Sequence, residues 1–245
     1  MAKQALPLSN LPVVSKHTIA DFSRDSYTTG AAILMDKPLE WSSFDAVRYV
    51  RNRIPPKKVG HAGTLDPLAT GLLILCSGKA TRTISQIQDG EKEYITTLKF
   101  GESTPSYDAA LPADKTAPWK HITRSEIENI IKQQFLGTIT QLPPIYSAIR
   151  VEGERLYKKA RRGEKVTLPP RQVTVNSIEI LDERFPEMDL KITCEKGTYI
   201  RSIAHELGQA AGSLAHIISL RRTRIGGFSV EDALTPSEFD AHINQ

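Results

Sequence analysis

One carboxylate in this sequence, that of Asp66, has neighbouring residues that suit a reactive group. Asp66 lies within Gly60–Gly71, a segment of glycines and apolar residues, and Pro67 favours extended backbone before it. Asp-Pro also commonly begins a turn, so a purely structural turn is the alternative. Leu65 and Leu68 flank the carboxylate, and burying it as an ion would be costly without a paired cation. The segment therefore predicts an Arg or Lys partner elsewhere in the chain.

Arg201 is a candidate for that partner. It lies in the segment Gly197–Gly208, and if Thr198 caps a helix there, Arg201 falls in the first turn. The helix dipole disfavours a positive charge at that position by ~0.3–1 kcal/mol. A carboxylate reached across the fold would offset this cost, and the alternative is an arginine that extends to solvent. Ile200 and Ile203 favour a half-buried Arg201.

Familiar cofactor and metal motifs are missing from the sequence. The segment Gly71–Ala80 resembles a phosphate loop, but its glycine spacing is too long and Ala80 replaces the Ser or Thr that would hold magnesium. Dinucleotide-binding, zinc-protease and serine-hydrolase motifs do not occur. Cys76 and Cys194 have no second Cys or His at metal-ligand spacing. We therefore expect no cofactor, no metal and no disulfide, and a reducing cytoplasm as the compartment.

Charge and length indicate a globular protein with an anionic partner. The chain has 245 residues, with 32 Lys and Arg against 28 Asp and Glu. The cations concentrate between Arg150 and Arg171, which is either a solvated face or, with Tyr146 and Tyr157 among the cations, a nucleic-acid surface. No eighteen apolar residues run together, so we expect neither a membrane span nor a signal peptide.

The elements that must position these residues alternate irregularly between strands and helices. A capping box at Ser42 and Asp45 predicts a helix over 44–54, and Thr123 with Glu126 predicts a second helix that ends at Gly137. A third helix is expected over 199–211. Strand-like runs lie at 31–36, 72–76, 94–100, 145–151, 173–181, 190–195 and 215–225. Because the strands outnumber the helices and do not alternate regularly with them, the sequence predicts an α+β fold instead of a doubly wound parallel one.

Three regions are expected along the chain. Residues 1–29 are interpreted as an extension draped over the rest, 30–228 as one domain, and 229–245 as a short tail.

The loop around Asp66 and several further motifs resemble the TruB family of tRNA pseudouridine synthases. The matching motifs run in the family's order from Gly30 to Phe228. They are Asp36-Lys37-Pro38, the Asp66 loop, Lys92-Glu93-Tyr94, Phe135 to Gly163 with Gln141 and Tyr146, Gly197 to Arg201, and Leu220-Arg221-Arg222. The chain departs from the family at Thr104-Pro105-Ser106-Tyr107-Asp108, where only Thr104 and Asp108 match, and at Arg150, where Lys is usual.

The resemblance implies a pseudouridine-synthase fold with a mixed, mostly antiparallel sheet, in which residues 30–228 form the catalytic domain and about 101–171 an RNA-binding insertion. Seventeen residues follow Phe228, too few for the PUA-like C-terminal module of many relatives, so most RNA contacts are expected from the catalytic domain and its insertion.

The resemblance also implies roles for individual matching residues. Asp66 would be the catalytic carboxylate, Arg201 its ion-pair partner and Tyr94 the aromatic residue at the target uracil. His61 would fill the space that the flipped nucleotide leaves, and Tyr94 and Leu220 would line the base pocket. The remaining substrate-binding residues are expected to be Lys37, Gly63, Thr64, Leu65 and Tyr199.

The implied activity is isomerisation of the T-loop uridine of tRNA to Ψ55, without a cofactor. The expected partner is the T-arm stem-loop, bound by a monomer that needs no guide RNA and no protein partner. Two alternatives stay open: the same chemistry on another structured RNA, and a tRNA-folding chaperone without chemistry. The expected RNA-binding side chains are those of Arg150, Lys158, Lys159, Arg161 and Arg162.

Overall fold

The computed structural model describes residues 7–55, 58–147, 150–151, 153–156, 162, 164 and 168–243. The chain divides into two compact units. Unit 1 comprises Met1–Glu93 and Arg221–Gln245, and unit 2 comprises Tyr94–Leu220.

The helices and strands follow one another irregularly. The helices are α1 (Ser26–Thr29), α2 (Ser43–Arg51), α3 (Ile84–Asp89), α4 (Arg124–Gln134), α5 (Ile200–Ala210) and α6 (Pro236–Ile243). The strands are β1 (Val13–Val14), β2 (Ala32–Lys37), β3 (Val59–Ala62), β4 (Ala69–Ser77), β5 (Lys92–Phe100), β6 (Glu102–Ser103), β7 (Lys115–Thr116), β8 (Gly137–Gln141), β9 (Arg150–Val151), β10 (Glu154–Arg155), β11 (Arg171–Arg184), β12 (Glu187–Cys194), β13 (Ala215–Ile225) and β14 (Phe228–Ser229).

Unit 1 is built on antiparallel strands with one parallel pair. Strand β4 pairs antiparallel with both β2 and β3, and β1 pairs parallel with β2. Apolar side chains from β2 and β4 form its core with residues near the C-terminus, including Ile225 and Val230. These pairings place the loop between β3 and β4, which carries Asp66, at one end of the strands.

Helix α2 begins as the sequence predicted. The Ser42 side chain accepts a hydrogen bond from the Asp45 N–H at 3.1 Å, and the Asp45 carboxylate accepts one from the Ser42 N–H at 2.9 Å. The capping box is therefore complete, and it fixes where the chain enters the helix.

Unit 2 is also mostly antiparallel. Strand β11 pairs antiparallel with β12 and with β8, and helices α4 and α5 contribute to its apolar core. Apolar residues of these strands and helices make up that core, including Leu98, Ile127, Leu190 and Ile203. The predicted α+β class with a mixed, mostly antiparallel sheet is confirmed.

Three local predictions for unit 2 differ from the structure. The second helix ends at Gln134, and Gly137, with φ of 77°, begins β8 instead of ending the helix. Residues 145–147 form a bend, so within the predicted strand 145–151 the described residues are extended only at Arg150–Val151. Pro143 and Pro144 precede the bend; proline cannot donate a ladder hydrogen bond, which disfavours a central strand there.

The N-terminal segment is part of unit 1's fold. β1 adds to the sheet, and the ring of Tyr27 is fully buried against Phe239 of α6, with the ring centroids 6.1 Å apart. Burial raises the pKa of Tyr27 to about 12. The backbone N–H of Lys16 also donates to the Asp232 carbonyl at 2.9 Å. The residues expected to form an extension draped over the rest therefore pack against the C-terminal helix, while the predicted domain boundaries stay predictions.

Candidate active site

The loop between β3 and β4 holds Asp66 on a constrained backbone. Gly63, with φ of 87°, begins the loop, and the Ala69 N–H donates to the Asp66 carbonyl at 3.0 Å just before β4. Asp66 is half-buried, and Leu65 before it is buried. The Asp-Pro segment therefore does form a turn, and this turn carries the half-buried Asp66 carboxylate.

Ser43 ties this loop to helix α2. Its buried hydroxyl donates to the Leu65 carbonyl at 3.0 Å and accepts from the Leu65 N–H at 2.8 Å. Both backbone polar groups of the residue before Asp66 are therefore satisfied by a single side chain. Sequence reasoning missed Ser43, because a serine in the first turn of a helix is typical of capping and gives no sign of a distant loop.

Lys37 is fully buried beside the same loop. Its Nζ donates to the carbonyls of Pro38 at 2.9 Å, Trp41 at 2.6 Å and Pro67 at 3.5 Å. Burial lowers the pKa of Lys37 to about 8, and the negative charge of Asp66 acts in the opposite direction. The ammonium group thus links the segment Pro38–Trp41 to Pro67, the residue after Asp66. The contact of Lys37 with substrate stays a prediction.

The other predicted binding residues of unit 1 also lie in or next to this loop. His61 is on β3, opposite Leu75 in the strand register. Thr64 is exposed, and the Gly63 carbonyl accepts a hydrogen bond from Arg222 at 3.2 Å. His61, Gly63, Thr64 and Leu65 thus lie on the same short segment as Asp66, and their contacts with substrate stay predictions.

Arg201 is buried in unit 2, with 3% of its surface exposed. Its guanidinium donates to the carbonyls of Ser106 at 2.8 Å and Tyr146 at 2.9 Å, and lies 3.6 Å from an Asp108 carboxylate oxygen. The alternative of an arginine extending to solvent is therefore wrong. A carboxylate does face Arg201, as the helix-dipole argument required. The ion pair with Asp66, which belongs to unit 1, stays a prediction.

Asp108 organises the loop that departs from the family pattern. Its carboxylate accepts from the Ser106 hydroxyl at 2.6 Å and from the Ala110 N–H at 3.0 Å, and its carbonyl accepts from the Thr104 hydroxyl at 2.6 Å. The sequence assigned Asp108 no role, although the match of Thr104 and Asp108 to the family loop was the available signal. These two residues hold the loop together around the substituted positions.

The start of helix α5 corrects one sequence expectation. The N-cap residue is Tyr199, and the Thr198 hydroxyl donates instead to the Glu195 carbonyl at 3.0 Å, so the predicted Thr198 cap is wrong. Gln141 replaces a local cap: its side chain accepts from the Tyr199 N–H at 2.8 Å and donates to the Tyr199 carbonyl at 3.0 Å. The Arg171 guanidinium lies over the Tyr199 ring at 4.4 Å. A side chain distant in sequence therefore fixes the helix start.

Tyr94 and Leu220 each lie at the margin of unit 2's core. Both are half-buried and pack against the same apolar cluster, Tyr94 from β5 and Leu220 from β13. This gives unit 2 an aromatic and an aliphatic side chain of the kind that a base pocket needs. Their contact with the target base stays a prediction.

The structure describes only part of the basic segment. Lys158, Lys159 and Arg161 lie outside the described residues, and only the backbone of Arg150 is described. Arg162 is half-exposed, binds both carboxylate oxygens of Glu154 at 2.8 and 2.7 Å, and binds Glu164 at 2.7 Å. Exposed ion pairs such as these contribute little free energy, and the contact of Arg162 with RNA stays a prediction.

The described residues include neither a candidate metal centre nor a candidate membrane-spanning helix. No cluster of three or more His, Cys, Asp or Glu side chains among them could hold a metal ion. None of the helices within the described ranges is long and apolar enough to cross a membrane.

Two family models match the chain in succession. Residues 51–200 match the TruB family pseudouridylate synthase N-terminal domain, and residues 201–244 match the tRNA pseudouridylate synthase B C-terminal domain. A protein named tRNA pseudouridine synthase B from Parabacteroides distasonis is 45% identical over 225 residues, which is 89% of this chain and 95% of that protein. The protein of the same name from Flavobacterium johnsoniae is 47% identical over 89% of this chain and 98% of its own length.

Solved structures share the fold. A Cbf5-Nop10-Gar1 complex contains a chain that matches 96% of this one with a TM-score of 0.67 and 27% identity. An H/ACA RNP bound to a substrate RNA matches 97% of this chain with a TM-score of 0.65 and 25% identity. This chain spans 59% and 60% of the length of those two chains.

Proposed function

Since the chain belongs to the TruB family of pseudouridylate synthases, we propose that it isomerises a uridine of tRNA to pseudouridine, at the T-loop position conventionally called 55. The observation that carries the proposal is the match over residues 51–244, which includes the Asp66 loop. The relatives at 45% and 47% identity carry the name of this activity.

The reaction explains why one carboxylate suffices. The N1–C1′ glycosidic bond of uridine breaks, the base turns, and a C1′–C5 bond forms. The C5 proton is then lost and N1 gains a proton, so atoms and electrons balance without a co-substrate. A carboxylate such as that of Asp66 can attack the sugar carbon, deprotonate the sugar or add to the base. All three routes require it to be ionised and correctly placed.

The reacting base must first leave its stack. Flipping costs a few kcal/mol, and apolar and aromatic walls that receive the base offset this cost. Tyr94 and Leu220 are proposed as these walls, and His61 is proposed to fill the vacated space. The proposed catalytic residues are thus Asp66 with Tyr94 and Arg201.

The proposed partner is the T-arm stem-loop of tRNA, whose phosphates would contact the basic segment Arg150–Arg171. We further propose that the protein acts as a monomer in the cytoplasm, without guide RNA or partner proteins. Cys76 and Cys194 are both buried and are not joined in a disulfide, which supports a reducing compartment.

The test is incubation of the purified protein with an unmodified tRNA transcript, followed by mapping of pseudouridine at single-nucleotide resolution. We expect one modified position in the T-loop, formed without ATP, guide RNA or added protein. The Asp66→Asn variant should form none, whereas Asp21→Asn, a control at an exposed position of the same unit, should match the wild type. Modification that appears only with a guide RNA would favour the alternative substrate class. Tight tRNA binding without modification would favour the chaperone.

A further inference from the structure

Arg222 is a buried arginine that the proposed mechanism does not use. It lies on β13, and 2% of its surface is exposed. Its neighbour Arg221 points to the opposite face of the strand and forms a bidentate ion pair with Asp36, at 3.0 and 2.8 Å. Two adjacent arginines therefore have different surroundings, one half-exposed and paired with a carboxylate, the other enclosed in unit 1.

The Arg222 side chain joins the Asp66 loop to the strand that follows it. Its Nε donates to the Leu72 carbonyl at 2.8 Å, and its Nη2 donates to the Gly63 carbonyl at 3.2 Å. Gly63 begins the loop before Asp66, and Leu72 lies in β4 after it. A planar guanidinium offers donors in a fixed geometry, so holding both carbonyls restrains the loop at both ends.

The glycines of the loop motif fit around this arginine. A Cβ at Gly71 would lie 2.3 Å from the Arg222 carbonyl oxygen, and φ at Gly71 is 99°. A Cβ at Gly63 would lie 3.4 Å from Arg222 Nη1, with φ of 87°. Gly71 therefore allows the β13 backbone to approach at Arg222, and Gly63 gives the loop the turn that brings its carbonyl to the guanidinium.

Arg222 is also close enough to the loop to act on it through charge. The positive charge of Arg222 contributes to lowering the pKa of Lys37, after the larger effect of burial, and Asp66 contributes in the opposite direction. Lys37 thus responds to the charges of both Arg222 and Asp66. Arg222 thus places a positive charge near the loop.

We propose that Arg222 is a positioning residue for the reaction: by holding the Gly63 and Leu72 carbonyls, it fixes the loop that places the Asp66 carboxylate at the substrate. The inference rests on the proposed function. It assigns Arg222 no contact with RNA, so it concerns the rate of the chemical step and leaves the affinity for tRNA unchanged.

The test compares Arg222→Lys, Arg222→Met and the control Arg224→Met, since Arg224 lies two positions further along β13 and forms an ion pair with Glu91, outside the Asp66 loop. Lysine keeps the charge but loses the fork of donors, and methionine loses both. The single-turnover rate is measured at saturating tRNA, and the Kd for tRNA is measured in a separate binding assay. Circular dichroism and urea denaturation give the folded fraction of each variant.

A displacement of the reacting group by about 1 Å can cost ~100-fold in rate. We therefore expect the rate to fall about 100-fold in Arg222→Met and about 10-fold or more in Arg222→Lys, with the Kd for tRNA within threefold of wild type. Arg224→Met should keep a rate within threefold of wild type. If Arg222→Met does not fold, Arg222→Lys decides the question.

Several results would overturn the inference. One is a folded Arg222→Lys protein with the wild-type rate; another is a loss of rate matched by an equal loss of tRNA affinity. A loss explained by the unfolded fraction would also overturn it. Because the wild type is measured in the same assay, an inactive wild type would remove the proposed function as well, whereas an active wild type with equally active Arg222 variants would remove only this inference.

Discussion

Replacing Ser43 with alanine tests whether the backbone around Asp66 is held as the structure indicates. The hydroxyl is buried, and it bonds both the N–H and the carbonyl of Leu65. Alanine removes both hydrogen bonds but changes the side-chain volume very little, so the variant tests the hydrogen bonds.

The magnitude follows from the two groups left behind. Leu65 is buried, and a buried polar group without a partner costs about 1–3 kcal/mol. With two such groups, and with some relaxation of the loop, we expect Ser43→Ala to lower the free energy of unfolding by about 2–4 kcal/mol. Because Leu65 precedes Asp66, the single-turnover rate on tRNA should also fall about tenfold or more in the folded protein.

The measurement is urea denaturation, read together with the single-turnover rate under conditions in which the variant is folded. Ser85→Ala serves as the matched control, since Ser85 is exposed on α3; its free energy of unfolding should stay within about 0.5 kcal/mol of wild type. A Ser43→Ala protein as stable and as active as that control would refute the reasoning that the Leu65 contacts hold the loop.

Three further predictions follow from the charges. Arg201→Met should destabilise unit 2 by about 3 kcal/mol, because it leaves the buried Asp108 carboxylate without its cation, and chemical denaturation with a tryptophan probe measures this; no loss would contradict the ion pair. Burial lowers the pKa of Lys37 to about 8, so between pH 8 and pH 10.5 the unfolded chain holds a proton that the folded chain has released, and the free energy of unfolding should rise with pH. That rise should become smaller in Lys37→Met but persist in the exposed control Lys58→Met, and equal slopes in the two variants would contradict the lowered pKa. Finally, log affinity for tRNA should fall by about 0.7–0.9 per phosphate contact for each tenfold rise in salt, and parallel salt plots for wild type and a fourfold Gln variant would contradict RNA contact at Lys158, Lys159, Arg161 and Arg162.

Features that depend on neighbouring residues were predictable from the sequence. The capping box at Ser42 and Asp45 formed as its spacing indicated, and the predicted strand 215–225 matches β13. These signals are local, since a cap or an alternating strand is encoded within a few residues of where it forms. The Asp66 loop was found in the same way, from a carboxylate among glycines and leucines.

Where a prediction depended on a partner far away in the chain, only the tertiary structure decided it. The start of α5 was assigned to Thr198, yet Gln141, distant in sequence, binds Tyr199 there. The carboxylate described beside Arg201 is that of Asp108, more than ninety residues earlier in the chain.

Burial was the other feature that the sequence left undetermined. Lys37 and Arg222 carry charges and would be assigned to the surface by residue type alone. Both side chains are instead buried next to the Asp66 loop and donate hydrogen bonds to backbone carbonyls. The sequence thus predicted which residues form the loop and which chemistry we propose for its carboxylate. The tertiary structure decided what holds that loop, because the carbonyls that accept from these cations, such as those of Gly63 and Leu72, come within reach only once β4 lies beside β13.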